Sequence, residues 1–134
     1  MERPTPGNLE LVRELYSRLA QEGRFPDELL DDQIEWVNPP DAVEPGIRRG
    51  RESFHGATDS IGEAFDEAEV EPEDLIEAGD EVVVLCTFVI KGRGSGLERR
   101  QPQGHVWTLR DGKAIRFRWF NDPAEALRAA GVER

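Results

Sequence analysis

From Val70 to Asn121 the chain reads as one strand after another. Three turn signals break this stretch, Ala78-Gly79-Asp80, Gly92-Arg93-Gly94-Ser95-Gly96 and Arg110-Asp111-Gly112, and no segment between them is long enough for a helix. Parallel neighbours need a crossover of a dozen or more residues. Successive strands here therefore run antiparallel. Ahead of them, Leu11, Val12, Leu15, Tyr16 and Leu19 fall on one helical stripe, and Gly23 is a plausible stop. A short turn, Asp27 to Asp31, leads into Gln33 to Asn38, which alternates like a strand and is ended by Pro39-Pro40. Asp41 to Gly50 reads as loop. From Arg51, the residues Phe54, Ala57, Ile61, Ala64 and Phe65 predict another amphipathic helix, and Pro123 to Ala130 predicts a closing one. Leading helices followed by a strand meander argue for an α+β class, a curved antiparallel sheet with helices on one face.

The 134 residues fit one domain, 1–134, with no room for a second. The formal net charge is -11, which repels phosphate backbones and anionic lipids, so nucleic acid and membrane surfaces are poor partners. Arg48, Arg49, Arg51, Arg99 and Arg100 read as solvated charges balancing that acidic surface. The acidic run Glu63 to Glu77 alternates with apolar residues and reads as the wet side of a helix end and a strand. Cys86 is the single cysteine, so no intrachain disulfide argues for secretion. No signal peptide or membrane span is visible, and the expected location is cytoplasmic. Two histidines and one cysteine give no metal-ligand spacing, and no cofactor motif is present. The glycines of 92–96 lack the Lys-Ser/Thr ending and the following helix of a phosphate loop.

The hairpin Gly104 to Asn121 places the candidate site. With a two-residue loop, Asp111-Gly112, the residues His105, Trp107 and Leu109 share a face with Arg116 and Arg118. With a three-residue loop, Arg110-Asp111-Gly112, they share it with Ile115, Phe117 and Trp119. Burying two unpaired arginines costs several kcal/mol, so the three-residue register is adopted. One face then carries His105, Trp107, Phe117 and Trp119, with Asn121 at its end; Trp36 and Asn38 join from the first strand. Apolar walls with a few convergent polar groups are the mark of a ligand pocket. His105, with an ordinary pKa of about 6.5, suits proton transfer. Asp122 could be its partner, although Asp122-Pro123-Ala124-Glu125 reads as a helix cap. Asp41 and Glu44 read as solvated rim charges, His55 as a surface group, and Cys86 as an inert buried thiol. Val82 to Ile90 is apolar on both faces, which hints that a second subunit covers the outer face.

Asn8 to Leu19, Asp32 to Trp36 (Asp-Gln-Ile-Glu-Trp), Gly92 to Gly96, and Gly104 to Asp122, with Glu125-Ala126-Leu127 and Gly131, resemble the SnoaL-like proteins of the NTF2-like superfamily. The resemblance spans nearly the whole chain. It implies an α+β cone whose sheet wraps the N-terminal helices around one internal pocket, and a homodimer through the outer sheet face. It also implies a small apolar or ring-containing ligand. Polyketide cyclase-like, ketosteroid-isomerase-like and limonene-epoxide-hydrolase-like members do acid–base work there. By the same resemblance, Trp119 stands where cyclases and epoxide hydrolases carry an inward aspartate. Two function classes follow. One is a cofactor-independent isomerase, cyclase or hydrolase with His105 as proton carrier. The other is a non-catalytic module for small-ligand binding or dimerisation.

Overall fold

The computed structural model describes residues 7–43, 46–64, 67–92 and 96–133. Glu44, Phe65 and residues 93–95 of the glycine-rich turn lie outside them. Helix α1 is Asn8–Glu22. It buries Leu11, Val12, Leu15 and Tyr16, each such side chain contributing roughly 1.5–3 kcal/mol. Gly23 ends it in the left-handed conformation, its N–H donating to the Leu19 carbonyl. A single 3-10 turn, Asp27–Leu29, delivers the chain into β1, Leu30–Asn38. Next come β2, Gly46–Arg49, and α2, Arg51–Ala64. The meander β3 (Glu67–Ala78), β4 (Glu81–Lys91), β5 (Glu98–Arg110) and β6 (Lys113–Phe120) follows, and α3 (Pro123–Ala129) closes the chain. No helix among the described residues is long and apolar enough to cross a membrane.

The six strands form one curved, unclosed sheet in the order β2-β1-β6-β5-β4-β3. Two expectations need correction. The loop over 41–50 contains β2, which pairs antiparallel with β1 and covers its free edge. A four-residue strand with two adjacent arginines has no alternation to betray it. The sheet is also mixed, because β1 runs parallel to β6. That pairing joins strands far apart in sequence, with the whole meander as the crossover.

The β5–β6 turn also differs from the adopted reading, and instructively. Asp111 and Gly112 have φ of +52° and +77°, the two-residue turn whose twist matches its strands. Arg110 pairs with Lys113, and Leu109 with Ala114. The next pair is Thr108 with Arg116, so Ile115 is the extra residue of a β-bulge. The irregularity lies beyond the turn, not in it. Past the bulge the faces are as expected: Trp107 opposes Phe117 and His105 opposes Trp119. Before it they are not. Ala114 takes the buried place beside Leu109, and Ile115 sits on the convex side near Arg110 and Arg116.

The concave face packs on α1 and α2 and forms the main core around Trp107, Phe54, Leu15, Leu30 and Ile34. On the convex side Val83 and Val106 are fully buried with Ala126 of α3. At Val83 the outer face of β4 is thus covered from within the chain. On the same side Arg116 donates to Glu35 (2.9 Å) and Arg118 to Glu81 (2.8 Å), and Arg49 donates to the other Glu35 oxygen (2.7 Å). Gly104 is what lets α3 approach. A Cβ there would lie 2.4 Å from Ala126 Cβ and 3.2 Å from Pro123 Cα. Gly104→Ala should therefore push α3 off β5 and lower stability by about 1–3 kcal/mol. A urea denaturation midpoint equal to wild type would contradict this docking.

Candidate functional site

Between the concave face and the two leading helices lies a pocket of about 630 Å³. Leu19, Ala20, Gly23 and Phe25 line it from the α1 end, and Thr58, Ile61 and Gly62 from α2. Edge strand β3 adds Ala68 and Val70, its neighbour β4 adds Phe88, and the opposite wall is Trp36, Phe117 and Trp119. Tyr16, Gln103 and His105 bring polar atoms to its base. A second hollow, about 420 Å³, lies on the convex face among Asp31, Glu35, Arg49, Lys113 and Arg116. Its charges largely neutralise one another: Glu35 is held below the usual carboxylate range by its bonds to Arg49 and Arg116.

The candidate residues fall into three groups. Trp36, Phe117, Trp119 and His105 line the pocket. Asn38 stands behind the indoles. Its Oδ1 accepts from both Trp36 Nε1 (2.7 Å) and Trp119 Nε1 (2.8 Å), fixing two rings on neighbouring strands. Trp107, Asn121 and Asp122 stand outside the pocket lining. Trp107 is fully buried behind the pocket, in edge contact with Phe25 and Tyr16. Asn121 lies past the last strand and is exposed, so the inward alternation stops at Trp119. Asp122 is exposed and caps α3, accepting from Ala124 N (2.9 Å). His55, expected at the surface, is buried, with Nε2 2.5 Å from Asp27 Oδ1. Asp27 is held below its ordinary pKa chiefly by that bond.

Sequence reasoning passed over Tyr16 and Gln103. Tyr16 was visible as a core position, and a buried phenol needs a partner. Gln103 stands two residues before His105 on the same face of β5. Together these residues make a hydrogen-bond chain with one direction. An indole N–H can only donate, and Trp107 Nε1 donates to Tyr16 Oη (2.8 Å). Tyr16 Oη lies 2.6 Å from His105 Nδ1. The phenol must be the donor there, because its buried proton finds no other acceptor among the described residues. Nε2 therefore carries the imidazole proton and donates to Gln103 Oε1 (3.2 Å). Cys86 Sγ is 3.6 Å from the same nitrogen and from the Gln103 backbone oxygen.

Burial removes charge from this cluster. The His105 pKa is pushed down to about 3 by desolvation. Desolvation pushes the Cys86 thiol up to about 12, with Glu73 adding to the effect. The Tyr16 phenol rises well above its ordinary value for the same first reason. At neutral pH all three are uncharged. Among the described residues no group of three or more His, Cys, Asp and Glu could hold a metal ion.

Comparison with known proteins agrees with this fold. A family model described as a SnoaL-like domain matches residues 12–117. No curated protein sequence matches the chain. Among solved structures, an NTF2-like protein from Burkholderia thailandensis E264 is 22% identical with a TM-score of 0.76, covering 91% of this chain and 98% of that one. TerC, co-crystallised with polyporic acid, is 24% identical with a TM-score of 0.72, covering 92% and 97%. A Catenulispora acidiphila protein of ketosteroid isomerase-like fold, in complex with trimethylamine, is 16% identical with a TM-score of 0.71, covering 97% and 96%. At these identities the likeness is one of fold.

Tyr16→Phe should leave the Trp107 N–H and His105 Nδ1 both unpaired and cost about 2–5 kcal/mol in denaturant unfolding; a loss below about 1 kcal/mol would refute the chain. A pH series tests the imidazole. Its folded pKa lies below the unfolded value, so between those values the unfolded state binds the extra proton. Stability is then flat from this source above pH 7 and falls as pH drops below about 6.5, by up to about 1.4 kcal/mol per unit. In His105→Gln that slope should flatten between pH 6.5 and 4.5.

Proposed function

The chain belongs to the SnoaL-like domain family, and we propose that it binds a small, largely apolar ring compound in the concave pocket without using His105 as a proton carrier. The observation that carries this reading is an aromatic wall set opposite a base of neutral, mutually bonded polar groups. Trp36 and Trp119 are held by one amide oxygen, which keeps a flat surface ready for a ring. A general base works best with a pKa near the operating pH. His105 lies far below it, and its Nδ1 is already occupied by Tyr16. Asp122, the other acid–base candidate, is turned away into its cap. Binding thus has more support than isomerase, cyclase or hydrolase chemistry. Two structural neighbours were each obtained with a small molecule, polyporic acid in one and trimethylamine in the other, so a pocket occupant is a reasonable expectation for this fold.

Nile red, an uncharged polycyclic dye, reports on the proposal. Wild type should bind it saturably, with brighter and blue-shifted emission. Trp119→Ala should weaken binding about tenfold through lost apolar contact. Absence of any saturable signal, or an affinity untouched by Trp119→Ala, would count against the pocket as the binding site.

A further inference from the structure

The hydrogen-bond chain settles which atoms are left over. Tyr16 accepts from Trp107 and gives its proton to His105. The imidazole gives its Nε2 proton to Gln103 Oε1. With its oxygen turned to the ring, Gln103 has its NH₂ group free, and no described residue accepts from it. Gln103 lines the pocket. At the base of the pocket, Tyr16 Oη, His105 Nδ1 and Gln103 Oε1 each already accept a proton, and the Gln103 N–H donors are the groups with no partner among the described residues.

Charge narrows the ligand further. Among the described lining residues there is no Lys or Arg to neutralise an anion. The one carboxylate residue, Glu69, is exposed on the edge strand. A buried anion would be unpaired, at high cost, and the N–H donors at the base oppose a cation placed against them. Thr58 on the opposite wall directs its proton to the His55 carbonyl (3.1 Å) and keeps lone pairs free. It can take a second, hydroxyl-type group but cannot replace the donor at the base.

We propose that Gln103 is the specificity-determining contact of this pocket, and that its ligand is an uncharged ring compound presenting a carbonyl oxygen, of a ketone or a quinone, to the Gln103 amide. The proposal rests on the binding reading above and adds the polarity of the group recognised. It excludes ammonium and carboxylate ligands as the preferred occupants.

Three compounds of one shape make the test: 1-tetralone, tetralin and 1-aminotetralin, each competed against Nile red at pH 7. Wild type should prefer the ketone to the hydrocarbon by about tenfold, the scale of one hydrogen bond, with the ammonium compound weakest. Gln103→Met should abolish the ketone's advantage and leave tetralin binding unchanged. In wild type the infrared carbonyl stretch of bound 1-tetralone should fall below its frequency in an apolar solvent, a measurement that decides the matter even if Gln103→Met fails to fold. Equal affinity for ketone and hydrocarbon, or an unshifted carbonyl stretch, would overturn the donor assignment while leaving the pocket intact. A ketone advantage that survives in Gln103→Met would do the same. Failure of all three compounds to displace a saturably bound dye would overturn it too. If the dye itself does not bind, the binding reading fails and takes this one with it.

Discussion

The phenol oxygen of Tyr16 is the atom on which the interior depends. It is buried, so its two hydrogen-bonding functions must both be met inside the protein. Trp107 meets one and His105 the other. The three side chains come from α1 and β5, and Tyr16 lies 89 and 91 residues from its partners in sequence. One oxygen therefore fixes the depth at which α1 lies against the sheet. It also fixes the imidazole tautomer, and through the imidazole the orientation of the Gln103 amide. The causal order runs from burial to polarity: Trp107 is needed in the core, its N–H needs an acceptor, and everything up to the pocket base follows.

The same burial decides what His105 can do. Moving an imidazole pKa from about 6.5 to about 3 corresponds to several kcal/mol in favour of the neutral form. A group so reluctant to hold a proton cannot take one readily from a carbon acid at neutral pH. What remains is a rigid neutral ring, edge-on to Phe117, that passes hydrogen-bond direction from Tyr16 to Gln103. Sequence alone could not separate these roles, because the residue type is right for both. The difference lies in the dielectric around it.

What the chain discloses in one dimension, and what it conceals, divides along a physical line. Local rules were readable: the helical stripe ending at Gly23, the cap at Asp122, and the period of two that puts His105 and Trp107 on one face. Features set by distant partners were not. Strand β2 exists because β1 has an open edge, and Trp119 reaches Asn38 because β1 lies parallel to β6. Asn38 could be placed beside Trp36 from alternation, but its part in holding two indoles needs that pairing. His55 looked like a surface group until Asp27 of the 3-10 turn covered it. The hairpin is the mixed case. Burial energetics chose the right partners for His105 and Trp107, while the turn carried ordinary Asp-Gly chemistry and the compensating bulge at Ile115 left no mark in composition.

Strand β5 shows how these constraints meet. Its inward residues, Gln103, His105 and Trp107, make the polar base and the core behind it. Its outward residues, Gly104 and Val106, seat α3 on the convex side. Farther along that side Thr108 and Arg118 both reach Glu81, while Arg49 and Arg116 share Glu35. The arginines that would have been ruinous inside are thus paired outside, across the sheet from the aromatic rings. A chain with net charge -11 keeps its ionised groups off the pocket floor, where an imidazole, a phenol and a thiol are all neutral. In such a cavity fixed dipoles are the strongest fields available. Discrimination among apolar rings then falls to hydrogen-bond direction, and the free N–H groups of Gln103 set it.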